Sequence, residues 1–383
     1  MDFGLTEQQI AIRTVARNFA TREIVPKAQN IDETADFDWS LYRGMAALGF
    51  IGMTAPEEYG GSGTDLLTWS LVMEEVAKAS SAMANSMTLA ESMVQYISSQ
   101  GTEAQKATYL PEMVRGERIC AFALTEPDAG SDAASISTTA VRDGDCVVLS
   151  GQKMFISGAA LADLFVIVAT VDKSLGAKGI RSYIVERDTP GLQVAAKLDL
   201  LGVRGFGTAP VFLDNCRVPA SSQLGGDGGF RDVMNALDGA ARLGATTMAV
   251  GLAQAAMEAS LRYAGERSQF GQPLSRFQAI QIMLADMSTE IEAARLLLYK
   301  AATRRDTGLP STMESSHAKL FAADMCMRSV TNAMQIFGGY AYSKEYPVER
   351  FYRDAKIHQI WDGTSQIQRT IIARSLLRDG ASS

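Results

Sequence analysis

Histidine is nearly missing from this sequence: His317 and His358 are the only two in 383 residues. So few imidazoles argue against a zinc centre built on histidines and against a Ser-His-Asp triad. Cysteine is sparse as well. Cys120, Cys146, Cys216 and Cys326 lie far apart without metal-ligand spacing, and are expected as buried thiols of a reducing compartment, not as a disulfide framework. No basic run offers phosphate neutralisation and the formal net charge is -7, which argues against general nucleic-acid binding. An anionic ligand would have to be met by a few placed arginines and by helix N-termini. No apolar run reaches membrane-spanning length, and residues 1–20, which mix Asp2 and Glu7 with Arg13 and Arg17, hold no signal-peptide core. A cytoplasmic enzyme without a metal is the expectation. Finally, no Rossmann or P-loop fingerprint is present: the glycine-rich turn Pro56-Glu-Glu-Tyr-Gly-Gly-Ser-Gly63 has the spacing of neither.

What is present reads as an ordinary globular chain, 47% apolar and 21% charged, long enough for two or three domains. Thr6 and Gln9 form a capping box for a helix whose Ile12, Val15 and Phe19 share a face. Further helices are expected over 39–48, over 65–78 with the stripe Leu66, Trp69, Met73 and Val76, and over 82–98. Between 119 and 213 the period changes to short strands (120–124, 135–141, 146–150, 164–171, 181–185, 192–196, 211–213), with Asp143-Gly144 as a hairpin turn. After Gly225-Gly-Asp-Gly-Gly229 the chain is helical again over 230–267, 274–307, 312–337 and 348–377. A 3-4 alternation runs from Phe277 through Ile280, Leu284, Met287, Ile291, Ala294 and Leu298. The fold class is therefore α+β: a helical domain (1–118), a middle antiparallel β domain (119–226) and a C-terminal four-helix domain (227–383).

Two stretches carry chemistry. In Arg353 to Gln368 the apolar Ile357, Ile360 and Trp361 stand at helical spacing. The helix then breaks at Asp362-Gly363 before Thr364 caps a new one through Ile367 and Ile371. Such a break sets a carboxylate and free backbone N–H groups at one point, a place to bind phosphate or hold a base. Taken alone it reads first as a corner where Asp-Gly merely turns the chain. The second stretch, Ala123-Leu-Thr-Glu-Pro-Asp-Ala-Gly-Ser-Asp132, follows the first strand and exposes backbone N–H groups and two hydroxyls in a turn.

Together these stretches resemble the acyl-CoA dehydrogenase family, whose C-terminal signature is close to RDAKIYQIYEGTSQIQR and whose middle domain carries TEPxAGSD. In that family the Glu before Gly-Thr removes the substrate's α-proton; here the position is Asp362. The resemblance implies FAD, with Leu124, Thr125, Gly130 and Ser131 at the flavin ring or the thioester's phosphates. Lys153-Met-Phe-Ile-Ser-Gly158 resembles KxWITNG, which sets Phe155, Ile156 and Ser157 against the isoalloxazine and replaces the family's Asn by Gly158. Glu266-Arg-Ser-Gln-Phe-Gly-Gln-Pro-Leu274 with Gln278 matches ERxxFGxPL...Q, so that Arg267, Phe270 and Gln278 would serve FAD. The loop Gln335, Ile336, Phe337, Gly338 and Gly339 matches QxxGG, which in the family reaches the FAD of a second subunit and so implies a homotetramer. Thr364, Ser365 and Gln366 join the cofactor set, and Ser131 and Gly363 the substrate set. The match spans the first helix to about Leu377.

The implied reaction is dehydrogenation of an acyl thioester, carried by coenzyme A or an acyl carrier protein. Its electrons pass to an electron-transferring flavoprotein or to oxygen. Two departures bear on it. Aspartate is one methylene shorter than glutamate, a retraction on the order of 1 Å that can cost about a hundredfold in rate. Asp362 remains the first choice as base. Glu91, otherwise a residue of a solvent face, is the second, since relatives acting on cyclic enoyl thioesters place their base on that helix. The third reading follows the nitroalkane oxidases, which have Asp at this position. A flavin-bound adaptor without chemistry is disfavoured by the two carboxylates. The second departure lies in the family's Asp-x-x-Arg, which engages the CoA arm: Arg242 aligns, but the Asp position is Gly239. The nearest acid, Asp238, would be rotated by about 100° on a helix. His317 and His358 are read as satisfied helix residues.

Overall fold

The computed structural model describes residues 4–226 and 228–380. Asp2 of the opening stretch, Asp227 of the glycine-rich turn and residues 381–383 lie outside them. Thr6 and Gln9 cap helix α1 (Glu7–Phe19) reciprocally, at 3.2 and 3.1 Å. A π turn (Ala20–Ile24) leads into α2 (Val25–Thr34), followed by α3 (Trp39–Ala47), α4 (Leu66–Ala79), α5 (Ser81–Gln100) and α6 (Glu103–Val114). Side chains cap most of these: Asp38, Asp65, Ser80 and Thr102 each accept from the third backbone N–H beyond them.

The stripe of α4 is buried as expected, but so is nearly all of its circumference. That is possible because its two buried carboxylates are paired, Glu74 with Arg295 at 2.8 Å and Glu75 with Arg13 and Arg17 at 2.9 and 2.8 Å. Unpaired, either charge would keep the helix at the surface.

The middle domain is one sheet in the order β6-β7-β3-β2-β4-β5-β8, with β1 beside β4. Its strands are β1 (Cys120–Ala123), β2 (Thr139–Asp143), β3 (Cys146–Ile156), β4 (Leu164–Thr170), β5 (Ile180–Glu186), β6 (Leu192–Val194), β7 (Ala209–Pro219) and β8 (Gln223–Leu224). The hairpin turn falls where expected: Asp143 pairs with Cys146 and Gly144 has φ 61°. The sheet is not wholly antiparallel, however. β1 runs parallel to β4, and Thr139 meets Thr170 in a parallel pair. The β2–β3 hairpin intervenes between β1 and β4 and returns the chain in the direction in which it left.

The last domain holds α7 (Phe230–Ala236), α8 (Arg242–Glu266), a small hairpin of β9 (Ser268–Gln269) and β10 (Gln272–Pro273), α9 (Gln278–Asp306), α10 (Thr312–Phe337), α11 (Val348–Ala355) and α12 (Ser365–Gly380). The outermost two of the four expected helices are interrupted. A π turn (Leu237–Ala241) separates α7 from α8, and a 3-10 turn (Lys356–Gln359) followed by Asp362-Gly363 separates α11 from α12. One apolar core runs through the N-terminal helices, the sheet and α8, so the three domains share it; a second lies among α8, α9 and α10.

A junction ties the domains together beside the site. Asp354 on α11 accepts from Val203 N at 2.6 Å, while Arg353 holds Asp32 of α2 at 2.6 and 2.9 Å. Arg204 completes it by donating to the Asp32 carbonyl at 2.8 Å. Among the described residues no helix is long and apolar enough to cross a membrane. All four cysteines are free thiols, Cys146 half-buried and the others buried.

Candidate active site

Asp362 and Gly363 are consecutive left-handed residues, with φ 50° and 86°. Glycine takes this conformation freely, and aspartate is among the few other residues that tolerate it. Thr364 Oγ1 accepts from Ile367 N at 3.1 Å and so starts α12 where the sequence predicts. The two carbonyls of the break are collected from inside: Gln368 Nε2 donates to Asp362 O at 3.2 Å and to Gly363 O at 3.0 Å, and Lys319 Nζ donates to Gly363 O at 2.6 Å. The Asp362 side chain is therefore carried by a turn anchored on both α10 and α12.

Burial pushes the Asp362 carboxyl up to about 6, against the opposing pull of Lys319 and Arg242. Both cations are buried, and burial lowers Lys319 to about 8 and Arg242 to about 10. His358 is buried edge-on to Trp361, ring centroids 5.3 Å apart, and burial holds it down at about 3, hence neutral.

Glu91 does not lie on a solvent face. It is 0% exposed, and its carboxylate accepts from Met53 N at 2.9 Å, from Thr54 N at 3.0 Å and from the Thr54 hydroxyl. Gln95 extends this chain, donating to Thr54 Oγ1 at 3.2 Å and accepting from Ala240 N at 3.1 Å. The α5 carboxylate thus clamps the 53–54 loop.

Asp238 also departs from expectation. The 100° per residue of a regular helix does not apply here, because the intervening backbone is a π turn that leaves helical geometry at Gly239. Asp238 forms a buried ion pair with Arg242, and Thr312 Oγ1 donates to its other oxygen at 2.6 Å.

The cofactor residues fall into three groups. In the β domain, Met154 N donates to Thr125 O at 2.9 Å and joins the 124–131 loop to the 153–157 segment. Phe155 stands 59% exposed at φ 58°, where a shift in the β3–β7 register between Lys153 and Ile156 turns it outward while Ile156 goes into the core. Leu124 is buried, Thr125 and Ser157 are half-buried, and Gly130 and Ser131 are exposed. Gly158 sits at φ 71° with the side-chain ends of Phe206 and Leu89 only 2.9 and 3.0 Å from where a Cβ would stand, so the family's Asn would require both to shift.

In the second group Arg267, Ile336, Phe337, Gly338 and Gly339 line a cavity of about 570 Å³. The Arg267 guanidinium lies 5.3 Å over the Tyr340 ring, and Gly338 adopts φ 60°. Phe270, also left-handed, is 95% exposed, and Gln278 and Gln335 are exposed. In the third group Thr364, Ser365 and Gln366 line a cavity of about 540 Å³ with Asp324 and Arg369. Exposed aromatics on constrained backbone, an arginine and positive-φ glycine at an open cavity fit a flavin with its rings and pyrophosphate.

Sequence reasoning missed the support beneath the first group. Lys153 Nζ, fully buried, donates to Leu124 O at 3.0 Å and to Glu126 at 2.8 Å. Glu126 also accepts from Ser137 and from Thr138 N. Both residues sit inside the quoted motifs. The signal available was a lysine in a strand whose neighbours alternate inward.

Profiles of the N-terminal, middle and C-terminal domains of acyl-CoA dehydrogenase match residues 6–117, 121–216 and 227–377. The chain belongs to the acyl-CoA dehydrogenase family. It is 45% identical to a probable acyl-CoA dehydrogenase of Bacillus subtilis, over 99% of this chain and 100% of that protein. Its fold matches the solved structure of butyryl-CoA dehydrogenase from Megasphaera elsdenii with TM-score 0.95 at 40% identity, covering 98% of this chain and 100% of that one. It also matches PigA, solved with FAD and proline, with TM-score 0.94 at 30% identity over 98% and 99% of the two chains. This acyl-CoA dehydrogenase family member is a flavin oxidoreductase, and its cofactor is FAD.

Proposed function

We propose that the protein dehydrogenates an acyl-CoA with Asp362 as the base. The observation that supports this best is the anchored left-handed turn: it presents a half-buried carboxylate whose proton affinity is raised to about 6, near the operating range of a general base. FAD, when bound, supplies the hydride acceptor. The chain's own part is to take the proton from the carbon beside the thioester carbonyl onto Asp362 while the β-carbon gives up its hydride, leaving a 2,3-enoyl thioester. The rigid mounting offsets the shorter side chain by removing slack between base and substrate.

Glu91 is the weaker candidate, because three donors of the 53–54 loop already hold its carboxylate and none of it reaches water. The Asp238–Arg242 pair, beside the π turn and Thr312, is the charged group set for the arm that carries the thioester. Electrons leave to an electron-transferring flavoprotein. The cavity at Arg267 and the 336–339 loop serves the FAD of a neighbouring protomer in a homotetramer, and the protein works in the cytoplasm.

Anaerobic mixing of the FAD-loaded protein with butyryl-CoA tests this reading. Bleaching of the flavin by the thioester, and its loss in Asp362→Asn, are expected. Bleaching by nitroethane but not by thioesters overturns it in favour of the oxidase reading, which Asp at position 362 itself suggests.

A further inference from the structure

We propose that Lys319 is a positioning residue for the reaction: from α10 it fixes the turn that carries Asp362 by a hydrogen bond and sets that carboxylate's environment by its charge. The inference rests on Asp362 being the base. Lys319 is 1% exposed, and burying an ammonium is costly unless the site makes specific use of it. Its hydrogen bond goes to a neutral group, the Gly363 carbonyl at 2.6 Å. That carbonyl points inward because Asp362 and Gly363 are both left-handed, and Gln368 reaches it from the other side at 3.0 Å. The arrangement separates two tasks that a direct Lys–Asp contact would merge. The turn is held through its backbone, while the carboxylate stays free to take a proton yet remains inside the field of the ammonium.

The charged and titratable groups around this pair come from every neighbouring element. Arg242 of α8 adds positive charge that its ion pair with Asp238 of the π turn offsets, with Arg305 of α9 behind it. Asp324, further along α10 and bonded to Gln359, Ser365 and Arg369, attracts Lys319 through space, and His358 of the 3-10 turn is neutral. Lys319 is the only one of the cations that also grips the turn's backbone.

The test is anaerobic stopped-flow reduction of the FAD-loaded protein by butyryl-CoA from about pH 5 to about pH 8, with flavin content measured by absorbance. The wild-type rate should rise with a midpoint near 6 as Asp362 ionises. Lys319→Gln removes the charge and leaves a shorter donor, so its midpoint should move up by about one pH unit, with only part of its high-pH plateau lost. Lys319→Met should show the same upward shift and in addition lose about tenfold or more of the plateau, because the turn is released. Lys319→Arg should restore the wild-type midpoint. A merely structural lysine would leave the midpoint unmoved, so a flavin-replete Lys319→Gln protein with the wild-type midpoint overturns the proposal. If Lys319→Met does not retain flavin, Lys319→Gln against Lys319→Arg decides. An Asp362→Asn protein that reduces at the wild-type rate removes the base assignment itself, whereas an inactive Asp362→Asn beside an unmoved Lys319→Gln midpoint removes only the role of Lys319.

Discussion

Glu126 and Lys153 meet at 2.8 Å with both side chains shut off from water, directly beneath the loop that carries Leu124 and Thr125. Burial alone would raise the Glu126 carboxyl, but Lys153 and the donors of Thr138 and Ser137 outweigh it and hold Glu126 down at about 2. The stabilisation from its charge is therefore present above the ordinary carboxylate range and is lost only as pH falls towards about 2. Glu126→Gln or Lys153→Met should each destabilise by about 3–5 kcal/mol, because each strands a buried partner. The double replacement should cost less than the sum of the two, and both single variants should retain less FAD. Thermal unfolding with flavin release as a second readout checks this.

Asp362→Asn should lower flavin reduction by about 10² to 10⁴, the usual worth of a positioned base. The same change should make the protein more stable. Folding raises Asp362 from its ordinary value to about 6, so holding the charged form costs stability that accumulates as pH rises towards 6 and is constant above it. By that linkage the gain in Asp362→Asn is at most roughly 3 kcal/mol at neutral pH and vanishes in acid. Denaturant melts at several pH values would show it; equal stability of the two proteins at neutral pH would count against the raised proton affinity.

Glu91→Gln should leave the rate of flavin reduction within a few-fold of wild type and lower stability by about 1–3 kcal/mol, since an amide cannot accept from both Met53 N and Thr54 N without turning its own donor towards one of them. A loss of rate comparable to that of Asp362→Asn would instead return Glu91 to the chemistry.

If the Arg267 cavity serves a neighbouring protomer, two crippled chains can rescue each other. Arg267→Ala should bind FAD weakly because a bidentate partner for pyrophosphate is gone, and Asp362→Asn should bind FAD but not react. Oligomers assembled from both should pair an intact Asp362 with an intact Arg267 at some sites and recover part of the activity. Mixed assemblies that stay as inactive as the parents would speak for a cofactor held within one chain.

Much of this was legible in the sequence, for local reasons. The Thr6 capping box, the Gly144 turn and the Thr364 cap each depend on a few adjacent residues, and each is where the pattern predicts. So is the break at Asp362, which two left-handed residues enforce. What escaped depends on contacts across the chain. The direction of β1 is set by β4, over forty residues on. The burial of Glu74, Glu75 and Glu91 depends on partners from other elements: arginines of α1 and α9 for the first two, and the 53–54 loop for the third. The backbone beside Asp238 escaped because a π turn is not announced by composition: counting 100° per residue assumes a regular helix, and at Gly239 the helix is not regular.

The junction at Arg353 and Asp354 has a mechanical consequence. Two neighbouring residues on one short helix grasp two different domains, one an acid of the first helices and the other a backbone amide in the β6–β7 connection of the sheet. A tug on any of the three regions is passed to both others through eight residues of α11, which lead straight into the segment bearing Asp362. Loosening at the periphery would thus register first as a misaimed carboxylate, long before the chain comes apart.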